Sequence, residues 1–262
     1  CGIGVTASMV ASGYALNNLT DVFITHYHSD HVIELGGLLH TAWTAGLEHT
    51  VAVYGPPGLD KIWDRFCDMM AFDIEIRIRD EGRVPLRDLV KINIYDVQRS
   101  NPVTILNEPK IYDTNEANGS GLRVRVLRNQ HPPVHDSFAL RFDVGKKSVT
   151  FSGDTAYLPA LASFAKNSDI LVHEAMLAEG VDYVLSKTKT GDDRLKQHLL
   201  SSHSFAEDAG KIAAAANCGH LLLHHLIPPE RDICSDDNWQ SEVRRYFNGT
   251  CSVGYDGMKL LL

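Results

Sequence analysis

Residues 25–31 of the chain read Thr-His-Tyr-His-Ser-Asp-His, which places three imidazoles and a carboxylate within six residues. The apolar, β-branched run before them, residues 21–25, predicts a short buried strand. The apolar pattern after them predicts a helix over residues 31–45, in which Asp30 serves as helix cap, metal ligand or both. Imidazole with carboxylate suits zinc, iron or manganese better than calcium or copper(I). The stretch therefore predicts a metal site, and the alternative is a surface histidine cluster that caps a helix.

Three later segments also place a histidine or an aspartate after a predicted strand. His131 directly follows the strand over residues 122–127, whereas His135 lies beyond two prolines and either faces substrate or is solvent-exposed. A predicted strand over residues 148–152 is followed by Gly-Asp-Thr, which contains Asp154. On its own this tripeptide would suit an ordinary turn. His224 and His225 are adjacent on an apolar strand, so only one of them should reach a metal.

These four segments resemble the motifs of the metallo-β-lactamase superfamily, beginning with its His-x-His-x-Asp-His signature. The resemblance implies an α/β fold, a four-layer αββα sandwich, as a single hydrolase domain over residues 1–262. It implies two zinc ions, with manganese or iron as alternatives, and a bridging hydroxide that attacks an ester. The first ion would bind His26, His28 and His131; the second would bind Asp30, His31 and His225; Asp154 would bridge them. His224 takes a threonine place in the family pattern and would be packed near the site.

Two more segments narrow the resemblance to the ribonuclease Z and arylsulfatase-like branch. A predicted strand ends in His-Glu-Ala at residues 173–175, and His-Ser at residues 203–204 opens a predicted helix. The resemblance implies that His203 is a general acid or oxyanion partner and that Glu174 orients it, with Asp30 as a third catalytic residue. A carboxylate raises the basicity of a neighbouring imidazole and fixes its tautomer. The alternatives are a bystander His203 beside a helix-capping Ser202, and a Glu174 paired at the surface.

Net charge and composition bear on the substrate. A net charge of −8 and a sequence pI near 5.9 argue against a broad phosphate-binding surface and hence against nucleic acid. The sequence also shows no Gly/Pro/Lys-rich arm of the kind by which ribonuclease Z grips tRNA. We therefore expect a small-molecule ester of the phosphodiester or aryl sulfate class. The alternatives are a lactonase or β-lactam-type hydrolase, a tRNA 3′-processing endonuclease, and a non-enzymatic scaffold that binds a partner.

The remaining expectations concern the chain as a whole. Its 262 residues are 44% hydrophobic, enough for one large domain, and no apolar run is long enough to cross a bilayer. Strict alternation over residues 74–79 predicts a strand with one wet face. The opening residues 1–4 resemble the end of a turn that follows the family's first strands, so we expect a truncated or processed chain that lacks them. The compartment stays open between cytoplasm, periplasm and secretion, and a homodimer is expected from the branch.

Overall fold

The computed structural model describes residues 1–96, 103–106, 121–188 and 193–262. These residues form two compact units, Cys1–Tyr95 and Asp96–Leu262. Each unit has its own sheet with helices, so the α/β prediction is confirmed. The prediction of one domain over residues 1–262 stays a prediction.

The first unit contains a three-stranded parallel sheet in the order β1-β2-β3. The apolar residues of these strands stand in register, with Val22 opposite Val53 and Val53 opposite Ile92. They pack with buried helix residues such as Trp43 into one apolar core. The strands are Asp21–Phe23 (β1), Val51–Gly55 (β2) and Val90–Ile94 (β3), and the helices are Val5–Ala11 (α1), Ser29–Val32 (α2), Leu35–Thr44 (α3), Leu59–Met69 (α4) and Ala71–Glu81 (α5).

The second unit contains a seven-stranded sheet in the order β10-β9-β8-β7-β6-β5-β4 among its described residues. Neighbouring strands from β4 to β7 are antiparallel, and those from β7 to β10 are parallel. The strands are Val103–Leu106 (β4), Leu122–Arg128 (β5), Phe138–Val144 (β6), Lys147–Phe151 (β7), Ile170–Met176 (β8), His220–Ile227 (β9) and Thr250–Val253 (β10). The helices are Ala160–Phe164 (α6), Ala178–Lys187 (α7), Arg194–Ser202 (α8), Ala206–Ala216 (α9) and Asp236–Arg244 (α10).

The strand predicted over residues 74–79 is wrong, because these residues belong to helix α5. Ile74 and Ile78 are four residues apart, so on a helix they share the face that packs on the core. Arg77 pairs with Asp73 and Glu81, one helical turn away on either side. Three alternating isoleucines therefore fitted a strand, while the charges between them stabilise a helix.

The helix predicted over residues 31–45 is interrupted, since α2 ends at Val32 and α3 begins at Leu35. Between them, the Glu34 carboxylate accepts hydrogen bonds from the backbone N–H groups of Gly4 and Thr6. The break therefore anchors the first residues of the chain. Prolines and an Asn-Gly-Ser-Gly run over residues 99–121 predict a long loop with a short strand over residues 103–106. Most of this loop lies outside the described residues, and the strand is confirmed as β4.

Candidate metal centre and acid–base pair

Three histidines of the first unit lie close together just after the end of β1. The amide of Ile24 still donates to the carbonyl of Tyr54, 2.8 Å away, which extends the pairing one residue past β1. His26 follows, fully buried, and its ring centroid lies 4.8 Å from that of His28 and 4.1 Å from that of His31. The structure therefore brings three predicted ligands of this stretch together.

Asp30 lies in the first turn of α2, but it does not cap that helix. The N-cap is His28, and no side chain makes the cap hydrogen bond. The expected capping role of Asp30 is therefore wrong. Its carboxylate lies 3.2 Å from His31 Nε2 and is 59% exposed, so Asp30 is the accessible member of the candidate ligands in this stretch.

In the second unit, His131 follows β5 and is buried, with 1% exposure. Its Nδ1 lies 2.8 Å from the carbonyl oxygen of Ser202. A carbonyl can only accept, so Nδ1 carries the proton and Nε2 is the atom that can coordinate a metal. His135, which the sequence predicts to face substrate or solvent, is exposed.

Asp154 lies in a tight turn after β7 and is 1% exposed. Gly153 before it has a φ of +59°, and a Cβ there would come 2.5 Å from the carbonyl oxygen of Phe138. Only glycine satisfies both the left-handed backbone and this close approach. The glycine therefore fixes the backbone from which the Asp154 carboxylate extends.

His225 lies at a β-bulge in β9. Glu174 of β8 stands opposite His224, but the next residue of β8 stands opposite Leu226, so His225 is an extra residue. Its φ of +47° is uncommon for a residue other than glycine. The bulge brings His225 Nε2 to 3.2 Å from the Asp154 carboxylate, so the structure places two predicted ligands of this unit side by side.

Glu174 and His203 form a buried pair next to these ligands. His203 Nδ1 lies 2.9 Å from Glu174 Oε2, and the Thr155 backbone N–H donates to the same carboxylate. Glu174 is fully buried and His203 is 7% exposed, so the alternative of a surface-paired Glu174 is wrong. Burial, reinforced by the nearby Asp154 carboxylate, raises the pKa of Glu174 well above its ordinary value.

No motif surrounds His198 in the sequence, which predicts ordinary packing or solvent exposure, but its ring lies among these residues. The ring centroid of His198 is 5.9 Å from that of His131 and 5.8 Å from that of His203. Its Nδ1 lies 3.2 Å from the hydroxyl of Ser202, whose carbonyl holds His131. His198 and Ser202 are four residues apart, a spacing that puts both on one face of a helix, and this spacing was the signal that could have found it.

The donor set fits divalent transition metals. Each unit supplies imidazoles together with a carboxylate, which is the mixture that zinc, manganese and iron accept. The donor atoms of His131 and Asp154 lie within 4.8 Å of each other, as do those of Asp154 and His225. The tautomer imposed on His131 leaves its Nε2 without a proton, as a metal ligand requires.

Candidate histidine and aspartate ligands at strand ends, on this α/β architecture, agree with the relatives of the chain, which place it among the metal-dependent hydrolases of the metallo-β-lactamase fold, in the ribonuclease Z branch. Solved structures share the fold. YhfI from Bacillus subtilis, a metallo-β-lactamase fold protein, is 22% identical, with a TM-score of 0.63 over 98% of this chain and 84% of its own. Human tRNase Z, short form, is 18% identical, with a TM-score of 0.64 over 98% and 85%.

Residues 1–221 match the family described as "Anti-Pycsar protein Apyc1", and the chain belongs to that family. Among curated relatives, a "Ribonuclease Z" of Mycobacterium sp. (strain KMS) is 30% identical over 260 residues, which are 98% of this chain and 82% of the relative. A "Ribonuclease Z" of Mycobacterium marinum is 27% identical over 98% and 84%. The chain is thus a hydrolase that acts on ester bonds. Within the described residues, no helix has the length and apolar character needed to span a membrane.

Proposed function

We propose that the chain hydrolyses a small ester-type substrate of the phosphodiester or aryl sulfate class. The observation that carries this proposal is the buried Glu174–His203 pair, with His203 Nδ1 2.9 Å from the carboxylate. The His203 ring is stacked on that of His225 at a centroid distance of 5.6 Å. An oriented imidazole beside proposed metal ligands is what proton transfer to a leaving oxygen requires.

We further propose two zinc ions, with manganese or iron as alternatives. In this proposal His26, His28 and His131 hold one ion, Asp30, His31 and His225 hold the other, and Asp154 is shared. The donor chemistry of both units and the tautomer of His131 support it. When bound, the ions would supply Lewis acidity and would activate water near neutral pH.

Two residues of this chain, Glu174 and His203, would transfer the proton to the leaving group. The Glu174 carboxylate accepts from His203 Nδ1–H, so when His203 is protonated on both ring nitrogens, its Nε2–H is the proton that would go to the leaving group. Burial raises the pKa of Glu174, which brings its proton affinity closer to that of an imidazole. Asp30, the exposed carboxylate of the first unit, would act as a ligand at the catalytic ion.

The test is hydrolysis of bis-para-nitrophenyl phosphate and para-nitrophenyl sulfate by zinc-loaded protein, with metal content measured in parallel. Asp154→Ala should abolish turnover and lower the bound metal. The control is Asp143→Asn, which removes a carboxylate that pairs with Arg125 and Arg141 instead; it should keep turnover and metal. Retained turnover in Asp154→Ala with both ions bound would refute the bridging role.

A second candidate function is cleavage of tRNA precursors, because curated relatives carry the name Ribonuclease Z. The net charge of −8 disfavours it, since phosphate binding depends on cationic side chains. Equal protein concentrations assayed on a tRNA precursor and on the small diester separate the two. Cleavage of the precursor at its 3′ side, with no turnover of the small diester, would reverse our preference.

The description of the matched family also favours a role against Pycsar. If the proposed hydrolysis serves that role, cells that carry Pycsar should lose its effect when they express the wild-type chain. The Asp154→Ala variant at the same expression level should leave Pycsar effective. Equal action of both proteins would show that the role does not depend on hydrolysis.

A further inference from the structure

A pocket of about 620 Å³ opens in the second unit beside the bulge of β9. Its polar lining includes His224, His225, Arg231, Tyr255 and Asp256, and Met258 belongs to its apolar part. The volume lies in the range of small-molecule sites. Because His225 lines this pocket and also lies against Asp154, a molecule bound here has one end next to a proposed metal ligand.

The outer part of the pocket presents an aromatic ring and a guanidinium group. Tyr255 is 61% exposed, and the guanidinium carbon of Arg231 lies 5.8 Å from the centroid of its ring. Arg231 is also held by Asp236 at the start of α10, with Nη1 3.3 Å from the carboxylate. The cation and the ring therefore lie together before any ligand arrives, which lowers the entropic cost of binding.

These groups select for a particular chemistry. A guanidinium binds phosphate and sulfate oxygens and also stacks on flat groups. A tyrosine ring adds offset or edge-on contact with another aromatic ring. We infer that this pocket is a specificity site for the aromatic group of an oxyanion ester, with the aromatic group at Tyr255 and the ester anion between Arg231 and His225. The inference rests on the proposed function and deepens it.

Binding of molecules that cannot be hydrolysed tests the pocket independently of turnover. With zinc-loaded protein, calorimetry gives the dissociation constants of phenylphosphonate, methylphosphonate and benzenesulfonate. Tyr255→Ala should weaken phenylphosphonate about fivefold to tenfold and leave methylphosphonate within about twofold. Arg231→Ala should weaken both phosphonates, because it removes the cation rather than the ring. Benzenesulfonate against phenylphosphonate shows whether the pocket favours sulfate-type or phosphate-type esters.

Arg245 and Tyr246 provide a matched control. Their cation–ring distance is 5.9 Å, almost the same as in the Arg231–Tyr255 pair, and neither residue lines this pocket. Arg245→Ala and Tyr246→Ala should leave all three dissociation constants unchanged. The inference is overturned if Tyr255→Ala binds phenylphosphonate as tightly as wild type does, if it weakens methylphosphonate equally, or if wild type binds no aromatic probe.

The same experiment separates this inference from the proposed function. If wild type binds phenylphosphonate through Tyr255 but hydrolyses neither chromogenic ester, the pocket stands and the proposed function fails. If the esters are hydrolysed and Tyr255→Ala changes neither KM nor phenylphosphonate binding, the pocket assignment fails alone. If the proposed function and the pocket assignment are both right, Tyr255→Ala should raise KM for the aromatic esters and leave kcat within about twofold.

Discussion

The Glu174–His203 pair allows a quantitative prediction for Glu174→Gln. The substitution keeps the size of a fully buried side chain but replaces the carboxyl partner of His203 Nδ1 with an amide that cannot carry a charge. A hydrogen bond to a charged group contributes about 1.5–3 kcal/mol, so turnover should fall about tenfold to a hundredfold. His203→Ala removes the proton donor itself and should cost about a hundredfold to ten thousandfold.

The assay is a double-mutant cycle on kcat/KM for bis-para-nitrophenyl phosphate. If Glu174 acts only through His203, Glu174→Gln should cost less than about twofold in the His203→Ala background. Metal content and melting temperature of each variant establish that folding and loading are unchanged. Glu179→Gln is the matched control, because Glu179 is exposed in the first turn of α7. If the fold losses in kcat/KM of the two single variants multiply in the double variant, the orienting role of Glu174 is refuted.

Three further predictions follow from the turns and from one buried histidine. Gly153→Ala should lower stability by about 1–3 kcal/mol in urea unfolding, because its backbone is left-handed and crowded by a carbonyl oxygen; an unchanged midpoint would contradict this. Gly2→Ala should reduce metal binding measured by titration, since a Cβ there would come 1.8 Å from the carbonyl oxygen of Asp30, whereas Gly37→Ala, with open space around it, should not. Burial lowers the pKa of His173 to about 4 from 6.5, so the unfolded chain binds its proton first as pH falls; stability should drop by about 2 kcal/mol from pH 7 to pH 5, and His173→Asn should remove that drop.

The sequence places candidate ligands at strand ends because strand ends are easy to recognise. A short apolar run followed by a polar residue placed His131 and Asp154 at the ends of β5 and β7, where the structure has them. Such reasoning needs no knowledge of distant contacts, since a buried strand must end where its apolar residues end. Which ion each residue holds stays a prediction.

Three features escaped the sequence because they depend on short patterns or on contacts with distant parts of the chain. The six alternating residues around Ile74 and Ile78 fit both the two-residue repeat of a strand and the 3.6-residue repeat of a helix. Only the packing of the first unit decides in favour of the helix. The alternation rule also could not reveal that His225 is an extra residue with a left-handed backbone, since a bulge depends on the neighbouring strand. His198 was missed because its place depends on how α8 lies against the turn that follows β5, as seen in the bond of Ser202 to the carbonyl of Pro132.

The irregular pairing of β9 has a consequence for how this strand tolerates change in length. His225 has no residue opposite it in β8, and the pairing of the two strands resumes after it, with Leu226 opposite Ala175 and Ile227 opposite Met176. Deleting either histidine would straighten the ladder while leaving those partners in place, and the surviving imidazole would take the direction of an ordinary strand residue. The two adjacent histidines therefore determine the direction of the His225 side chain through the number of residues in the strand as well as through their chemistry. We expect deletion of one of them to impair the site more than substitution of His224 by another residue.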